Sequence, residues 1–319
     1  MRNDIFEDEA DLQNLAGKKL KVMITGASGR IGERLVYWLE KYTDFALILT
    51  SRRKPVFNSQ RSVWVQGDIR STTDLNKIFM DQPDIIVHLA STVGDKNSPS
   101  IASYENQELV PTLSLLDFLL SKKMEVKFIF ASSGGTVYQD SKMPHFETDL
   151  VQCSSLYSCN KVFVENLLWL YRETLHPMIL RISNPYGMKI DPNIKQGVID
   201  IALNCALNDK SFNVYGDVNN VRDFIHIDDL CKAFIKSICF DGSEYEVFNI
   251  GSGVGISISE IIKYIKKLFP KFRYNVASNV DGYISCNILD ISKARQLLDW
   301  QPSISVEAYL KSKANSCSS

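Results

Sequence analysis

The sequence has few residues of the kinds that bind metal ions or form disulfide bonds. It contains only 4 histidines and 7 cysteines in 319 residues. The cysteine number is odd, no two cysteines form a Cys-x-x-Cys pair, and none has a histidine at the spacing of a metal site. Scattered cysteines of this kind are typical of reduced thiols in the cytosol. We therefore expect no metal site, no disulfide framework and a cytoplasmic location.

The sequence also lacks an excess of charge of one sign and any long hydrophobic run. Its 36 basic and 37 acidic residues leave a net charge of −1, which gives no attraction for nucleic acid or for an anionic membrane surface. No apolar run approaches the roughly 18 residues that a membrane-spanning helix needs. The N-terminus is acidic and has no apolar core, so we expect no signal peptide. Nucleic acid and membranes are therefore not expected as partners.

Short hydrophobic runs alternate with helix-length amphipathic segments through the first half of the chain. The predicted strands cover residues 20–24, 45–50, 63–66, 85–89, 127–131 and 178–182, and the predicted helices cover 30–42, 73–80, 104–121 and 156–175. This alternation favours a parallel sheet covered by helices on both faces. Most of the strands are apolar along their whole length, as strands buried on both faces are. The predicted fold class is α/β, a Rossmann-like doubly wound parallel sheet.

A glycine-rich turn directly follows the first predicted strand and opens the first helix. Glycines at this point allow backbone N–H groups and a helix N-terminus to approach a pyrophosphate. Plain tight turns have similar spacing, but the small residues between the glycines and the strand–turn–helix context favour a dinucleotide site. We predict cofactor contacts from Gly26, Ser28, Gly29, Arg30, Ile31 and Gly32.

The residues after the second strand bear on the choice of cofactor. A site that prefers NAD usually has an acid here for the ribose 2′-hydroxyl, whereas this chain has Ser51, Arg52 and Arg53. These side chains are suited to a 2′-phosphate, which favours NADP within a general NAD(P) prediction. The alternative is a solvated basic loop with no ligand.

Other strand ends supply further cofactor candidates. Asp68 and Ile69 follow the third strand, where the adenine would lie, although Asp68 could equally be a turn acid. Leu89, Ala90 and Ser91 follow the fourth strand, at the edge where open α/β sheets bind ligands. We interpret His88, at the end of that strand, as structural.

Tyr157 and Lys161 form the candidate acid–base pair. They are four residues apart in a predicted helix, so both side chains lie on one face, and we expect the ammonium to lower the pKa of the phenol. Ser133 and Thr136, after the fifth strand, are candidates for a hydroxyl that shares the reacting proton. A dinucleotide with such a pair can move a hydride and a proton from one carbinol.

The pattern of the sequence changes after residue 183, where turn signals and shorter elements begin. We predict an N-terminal extension over residues 1–17 and an NAD(P)-binding domain over 18–183. Residues 184–319 are predicted to form mainly a smaller substrate-binding lobe, with segments that return to the first domain.

With these residues in place, the chain resembles the nucleotide-sugar epimerase/dehydratase branch of the extended short-chain dehydrogenases, which includes UDP-galactose 4-epimerase. The resemblance spans residues 19–309 and includes the segments RISNPYG at 181–187, VRDFIHIDD at 221–229, FNIGSG at 248–253 and ISKARQLLDWQP at 291–302. It implies a nucleotide-diphosphate sugar as substrate, with Asn184 and Arg222 at its phosphates and Ser133 at the sugar. It also implies a homodimer through helices 104–121 and 156–175.

Several positions depart from the family pattern, among them Ser51, Arg52 and Arg53, which replace the acid after the second strand. The usual catalytic Ser or Thr falls on Gly134, so that Ser133 or Thr136 must supply the hydroxyl. A common Asn is replaced by Glu108, and the Asp-Glu pair of the dehydratases is replaced by Gly134 and Gly135. Dehydration needs an acid and a base at these positions, so this activity is not expected.

The leading functional hypothesis is therefore a nucleotide-sugar 4-epimerase that oxidises C4 transiently with bound NAD(P). The alternative enzyme is an NADP-dependent reductase of a 4-keto-6-deoxy nucleotide sugar, which uses the same Tyr/Lys pair and consumes cofactor. A non-catalytic dinucleotide-binding scaffold is the remaining hypothesis, and the intact pair argues against it.

Overall fold

The computed structural model describes residues 19–54, 61–91, 100–138, 143–189, 197–242, 244–277 and 285–317. The predicted extension over residues 1–17 lies outside the described residues. The strands are β1 (Lys21–Thr25), β2 (Ala46–Ser51), β3 (Ser62–Gln66), β4 (Ile85–His88), β5 (Lys127–Ser133), β6 (Met178–Ile182), β7 (Asn184–Tyr186), β8 (Phe212–Tyr215), β9 (Val221–His226), β10 (Glu246–Ile250), β11 (Gly255–Ser257), β12 (Tyr274–Ala277) and β13 (Cys286–Asn287). The helices are α1 (Arg30–Tyr42), α2 (Thr72–Ile78), α3 (Ile101–Glu108), α4 (Val110–Ser121), α5 (Leu156–Leu170), α6 (Arg172–Leu175), α7 (Val198–Leu207), α8 (Ile227–Cys239), α9 (Ile258–Leu268), α10 (Ser292–Leu297) and α11 (Val306–Cys317).

A seven-stranded parallel sheet forms the centre of the molecule, with the strand order β10-β6-β5-β4-β1-β2-β3. Successive residues of β1 face opposite sides of this sheet. Val22 and Ile24 belong to the core under α1 and α8, and Met23 belongs to the core on the other face, under α2, α4 and α5. The predicted Rossmann-like α/β fold is therefore confirmed.

Two of the predicted helices are wrong in extent. The single helix predicted over residues 104–121 is divided into α3 and α4 at Leu109. Pro111 lies in the first turn of α4, where its missing N–H is tolerated, but it interrupts the hydrogen bonds of a continuous helix. The segment predicted as one helix over 156–175 is likewise divided at Tyr171, whose φ of −108° and ψ of 22° leave the helical region.

The later part of the chain builds a third core on α7, α9 and α11, beside a small sheet of β7, β9, β11 and β13. Two of its segments also complete the first part of the molecule. β10 pairs with β6 at the edge of the large sheet, and α8 packs against α1 with Leu230 and Phe234 in the first core. The assignment of cofactor and substrate binding to separate domains stays a prediction. None of the described helices is long and apolar enough to cross a membrane.

Candidate active site

The glycine turn lies between the end of β1 and the first turn of α1. Gly26 has a φ of +70°, and a Cβ there would lie 2.8 Å from the Ala90 amide nitrogen, so only glycine fits beside the strand end of β4. Gly29 is the N-cap of α1 and gives that helix no side-chain cap. The N–H groups of the first turn are thus available to a ligand, and the turn fits the diphosphate of a dinucleotide.

The loop after β2 presents two arginines while its serine points inward. The Ser51 hydroxyl donates to the Arg53 carbonyl oxygen at 2.5 Å and accepts from the indole N–H of Trp64 at 3.2 Å. Its proton is therefore used within the loop rather than offered to a phosphate, in contrast to the sequence-based expectation. The side chains of Arg52 and Arg53 are exposed.

The residues after β3 are held by local contacts. Asp68 forms an ion pair with Arg70, with 2.6 Å between the carboxylate and the guanidinium. The hydrogen bonds from Arg70 outweigh burial and hold the pKa of Asp68 below its ordinary value. Ile69 is buried in the core between the sheet and α2. The structure thus places both residues at the predicted strand end, but the Asp68 carboxylate already has a partner.

His88 joins β4 to its neighbours. Its Nδ1 lies 2.8 Å from the Thr25 hydroxyl and its Nε2 lies 2.9 Å from the Thr112 hydroxyl. Burial, and then the charge of Lys161, lower the pKa of His88 to about 3, so that the ring is neutral at physiological pH. These contacts agree with the structural role predicted for His88.

Tyr157 and Lys161 lie one turn apart on α5, as predicted. The helix begins with a capping box in which Ser155 and Ser158 satisfy each other's backbone N–H groups. The Lys161 ammonium is 5.3 Å from the centre of the Tyr157 ring and 4.9 Å from that of Phe130. Lys161 is buried, whereas Tyr157 keeps partial exposure. The pair therefore lies beside the ends of β4 and β5, where Ser91 and Ser133 contact it.

The expected direction of the phenol pKa is wrong. Removal from water, and then the charge of Glu108, raise the pKa of Tyr157 above its ordinary value, and a hydrogen bond from Ser133 acts in the opposite direction. The cause is burial: a phenolate would lose its hydration, and the nearby carboxylate repels it. In the absence of ligand, the phenol is protonated at neutral pH.

Ser133 and Thr136 form a chain of hydroxyls that ends at the phenol. The Thr136 hydroxyl donates to the Ser133 Oγ at 2.9 Å, and Ser133 is hydrogen-bonded to Tyr157. A Cβ at Gly134 would lie 2.6 Å from a Leu289 methyl group and 2.8 Å from the Arg181 carbonyl oxygen. Position 134 therefore has no room for a side chain, and Ser133 is the hydroxyl that contacts the phenol.

A buried carboxylate that sequence reasoning assigned no role completes this cluster. Glu108 accepts a hydrogen bond from the Ser91 hydroxyl at 2.6 Å, and it lies 4.0 Å from the Lys161 ammonium. Lys161 also contacts the Ser91 Oγ at 3.4 Å. The departure from the family Asn at position 108 was the only signal in the sequence. Ser91, a predicted cofactor contact, thus bridges two buried charges.

The two predicted phosphate-binding residues come from the later part of the chain. The Asn184 amide, beside Gly135, donates to the Asp223 carbonyl oxygen at 2.8 Å. Arg222 lies on β9, opposite Ile256 of β11, and is half-buried. Its guanidinium donates to the Val221 carbonyl oxygen at 2.8 Å. The structure places both side chains at the small sheet, and their contacts with substrate stay a prediction.

Several acids of the later motifs are structural. The buried Asp223 carboxylate accepts from the backbone N–H groups of Ser252, Gly253 and Leu289, and so holds the loop after β10. Asp228 accepts from Arg34 and Trp38 of α1, with distances of 2.5–2.9 Å. Within the described ranges, no group of three His, Cys, Asp or Glu side chains is arranged to hold a metal ion.

Comparison with known proteins gives the family and close structural relatives. The model of the NAD dependent epimerase/dehydratase family matches residues 22–251. The chain is 32% identical to a dTDP-4-dehydro-6-deoxyglucose reductase of Escherichia coli, over 90% of this chain and 94% of the relative. It is 30% identical to a putative UDP-glucose 4-epimerase of Methanocaldococcus jannaschii, over 92% and 97%. A UDP-glucuronic acid 4-epimerase of Bacillus cereus, solved with UDP-glucuronic acid and NAD, superposes with a TM-score of 0.82 at 27% identity, over 94% and 99% of the two chains.

Proposed function

The chain belongs to the NAD dependent epimerase/dehydratase family, and from that premise we propose that it is a nucleotide-sugar 4-epimerase. The observation that carries the proposal is the hydroxyl chain from Thr136 through Ser133 to Tyr157, with Lys161 one helical turn away. Epimerase relatives and an epimerase structure with the same fold support it. The glycines at positions 134 and 135 leave no acid–base pair for dehydration.

The residues of the site have distinct roles in the proposed reaction. Asn184 and Arg222 bind the sugar diphosphate, and this remote binding energy holds the hexose with its C4 hydroxyl at Tyr157. A bound nicotinamide dinucleotide, held by the glycine turn, supplies the hydride acceptor and donor for C4. The positive charge of the oxidised cofactor would favour ionisation of the phenol, and Tyr157 in its phenolate form takes the proton from the C4 hydroxyl as that carbon is oxidised. Ser133 donates a hydrogen bond to the same oxygen.

The return of the proton completes the cycle. The 4-keto sugar turns over in the site, and Tyr157 gives its proton back to the C4 oxygen when hydride reaches the opposite face of the ring. Because Ser133 accepts from Thr136, the proton of Ser133 stays directed towards Tyr157 or the sugar oxygen. Lys161 holds the cofactor ribose. No net proton or hydride leaves the site.

For the cofactor itself, we propose a preference for NADP(H). Arg52 and Arg53 are exposed after β2, and no acid stands at residues 51–53 to accept the 2′-hydroxyl of NAD. A 2′-phosphate would gain charge-assisted hydrogen bonds from the two guanidiniums. Family membership alone supports only an NAD-dependent enzyme, and the relative solved with cofactor contains NAD.

The cofactor preference is tested by reversing one charge. Arg52→Asp should weaken NADP(H) binding at least tenfold and leave NAD(H) binding unchanged or tighter, as measured by titration calorimetry at low and high salt. Lys54→Asp, in the same exposed loop, is the matched control for a general electrostatic effect. Equal affinity of the parent protein for both cofactors would show that the arginines form a solvated loop.

The second candidate is the NADP-dependent reduction of a 4-keto-6-deoxy nucleotide sugar. A specific observation favours it: the Escherichia coli relative at 32% identity is a reductase of such a sugar. The two activities differ in stoichiometry, because a reductase consumes one reduced cofactor for each product. An epimerase turns over with the cofactor it already holds.

Turnover assays decide between the candidates. The purified protein, with no cofactor added, is incubated with UDP-hexoses and UDP-hexuronic acids, and C4 epimers are quantified by NMR. Interconversion supports the epimerase. Stoichiometric oxidation of NADPH by a 4-keto-6-deoxy nucleotide sugar, without epimerisation, would show that the protein is the reductase and not the epimerase. Tyr157→Phe should reduce either activity by about 10²–10⁴-fold, whereas Tyr171→Phe, an exposed tyrosine at the end of the same helix, should not.

We also propose that the protein is a cytoplasmic homodimer. Phe163, Trp169 and Leu170 are exposed hydrophobic residues on α5, a helix through which the resembled family dimerises. None of the six cysteines at positions 153, 159, 205, 231, 239 and 286 forms a disulfide bond, which fits a reducing compartment. Light scattering at micromolar concentration should give twice the monomer mass, and Phe163→Glu should reduce it to the monomer mass.

A further inference from the structure

The carboxylate of Glu108 is unusual because it is buried against the acid–base pair. Its side chain is only 2% exposed, and that of Lys161 is only 7% exposed. Ser91 Oγ donates to Glu108 at 2.6 Å and is 3.4 Å from the Lys161 ammonium, which itself is 4.0 Å from the carboxylate. Burying a carboxylate costs several kcal/mol unless it is compensated by a partner. Its position at the Lys161 head group therefore calls for an explanation beyond packing.

The other charged groups near this pair are already compensated or neutral. Glu165, one turn further along α5, forms an ion pair with Arg181 at 2.7 Å and accepts from Ser132 at 2.5 Å. His88 on β4 is neutral at physiological pH, because burial lowers its pKa. Glu108 on α3 is a second carboxylate near Lys161, 4.0 Å from its ammonium.

We infer that Glu108 is a positioning residue for the acid–base chemistry proposed above, on which this role rests: through Ser91 it holds the Lys161 ammonium, and it adds a negative charge beside Tyr157. A neutral Asn at this position would leave the buried site with the charge of the lysine alone. With Glu108, the negative charge of the carboxylate opposes ionisation of the nearby phenol.

The electrostatics of the pair agree with this role. Burial lowers the pKa of Lys161 and the charge of Glu108 raises it, so that the carboxylate helps to keep the buried amine protonated. For Tyr157, burial and then the same carboxylate raise the pKa. Without cofactor, Tyr157 is therefore held in its protonated form. This form donates a proton to the C4 oxygen when hydride is added to C4, and Glu108 favours it over the phenolate that the oxidation of C4 requires.

A spectroscopic titration tests this role without any sugar substrate. The protein is loaded with oxidised cofactor, whose positive charge brings the phenol into the accessible pH range. Tyrosinate absorbance is recorded from pH 6 to 10, and the same curve for Tyr157→Phe is subtracted. The same difference curve is recorded for Glu108→Gln by subtracting the curve of Glu108→Gln/Tyr157→Phe. Its midpoint should lie about one pH unit lower than that of the parent, since one neighbouring negative charge is removed. Glu108→Asn, which introduces the family residue, should shift the midpoint in the same direction.

Controls separate this role from a structural one. Asp117→Asn makes the same chemical change on the exposed face of α4 and should leave the midpoint unchanged. A midpoint that is equal or higher in both folded Glu108 variants overturns the role of Glu108, even if the parent converts nucleotide sugars. A lowered midpoint in a protein that converts no nucleotide sugar supports the role of Glu108 and refutes the proposed 4-epimerase function instead. Where turnover is present, the acid limb of kcat/KM should move to lower pH by the same amount.

Discussion

The absence of a side chain at position 134 leads to a quantitative prediction about stability. Gly134 and Gly135 are adjacent, neither has a positive φ, and both follow β5. A Cβ at Gly134 would lie 2.6 Å from a Leu289 methyl group and 2.8 Å from the Arg181 carbonyl oxygen. The methyl group can rotate away, but the carbonyl belongs to β6 and is fixed by the sheet. A Cβ at Gly135 would meet only the Asn184 side chain, at 3.4 Å.

The two alanine variants should therefore differ although their chemistry is the same. Each gains about 0.4–1 kcal/mol from the reduced entropy of the unfolded chain. Gly134→Ala also forces the backbone apart, and overpacking of this kind costs about 1–3 kcal/mol. The difference between the two variants should thus be about 1–3 kcal/mol, or several degrees in Tm. Gly135→Ala should be as stable as the parent or slightly more stable.

Denaturant unfolding monitored by circular dichroism measures this difference, with Tm from calorimetry as a second value. Equal stability of Gly134→Ala and Gly135→Ala would refute the steric explanation for the missing Ser or Thr. The same explanation predicts that Ser133→Ala/Gly134→Ser does not recover the activity lost in Ser133→Ala, because the new hydroxyl cannot enter the place of the old one.

Two further predictions concern the hydroxyl chain and the buried histidines. Ser133→Ala should lower kcat by about 10²–10³-fold, because a hydrogen-bond donor at the reacting oxygen is lost. Thr136→Val should lower kcat only about fivefold, which corresponds to the loss of one neutral hydrogen bond. The opposite order of the two effects would assign the reacting hydroxyl to Thr136. Burial lowers the pKa values of His88 and His226 to about 3 and about 4. The unfolded chain therefore binds more protons below about pH 6.5, and the free energy of unfolding should fall as the pH decreases from 6.5 to 4. His88→Gln should be less stable at pH 7 and have a shallower decrease, and an unchanged slope would contradict this origin.

The sheet and the glycine turn could be predicted because their signals are local. Each residue of β4 is buried, so a continuous apolar run marks the strand whatever its neighbours are. The spacing of Tyr157 and Lys161 fixes their common face once a helix is assumed. The helix boundary at Leu109 is not marked by the apolar pattern, because it depends on Pro111 in the first turn of α4.

The rest of the site depends on contacts between distant parts of the chain. The interaction of Glu108 with Lys161 crosses from α3 to α5, and no spacing rule relates the two positions. Ser133, and not position 134, supplies the hydroxyl because the Arg181 carbonyl oxygen on a neighbouring strand leaves no room for a side chain at position 134. The direction of the Tyr157 pKa was wrong because it is determined by burial, which appears only in the folded structure.

The position of β10 in the sheet has a consequence for the order in which the protein can be built on the ribosome. The inner neighbour β6 is buried at every residue, yet its outer edge is covered by β10, which is synthesised about 65 residues later, after β7 and β9 of the small sheet. Until residue 250 has left the exit tunnel, the nascent chain presents a hydrophobic strand with unpaired N–H and C=O groups. Native closure of the sheet therefore has to wait for the later part of the chain, and the interval favours chaperone binding or strand pairing between nascent chains.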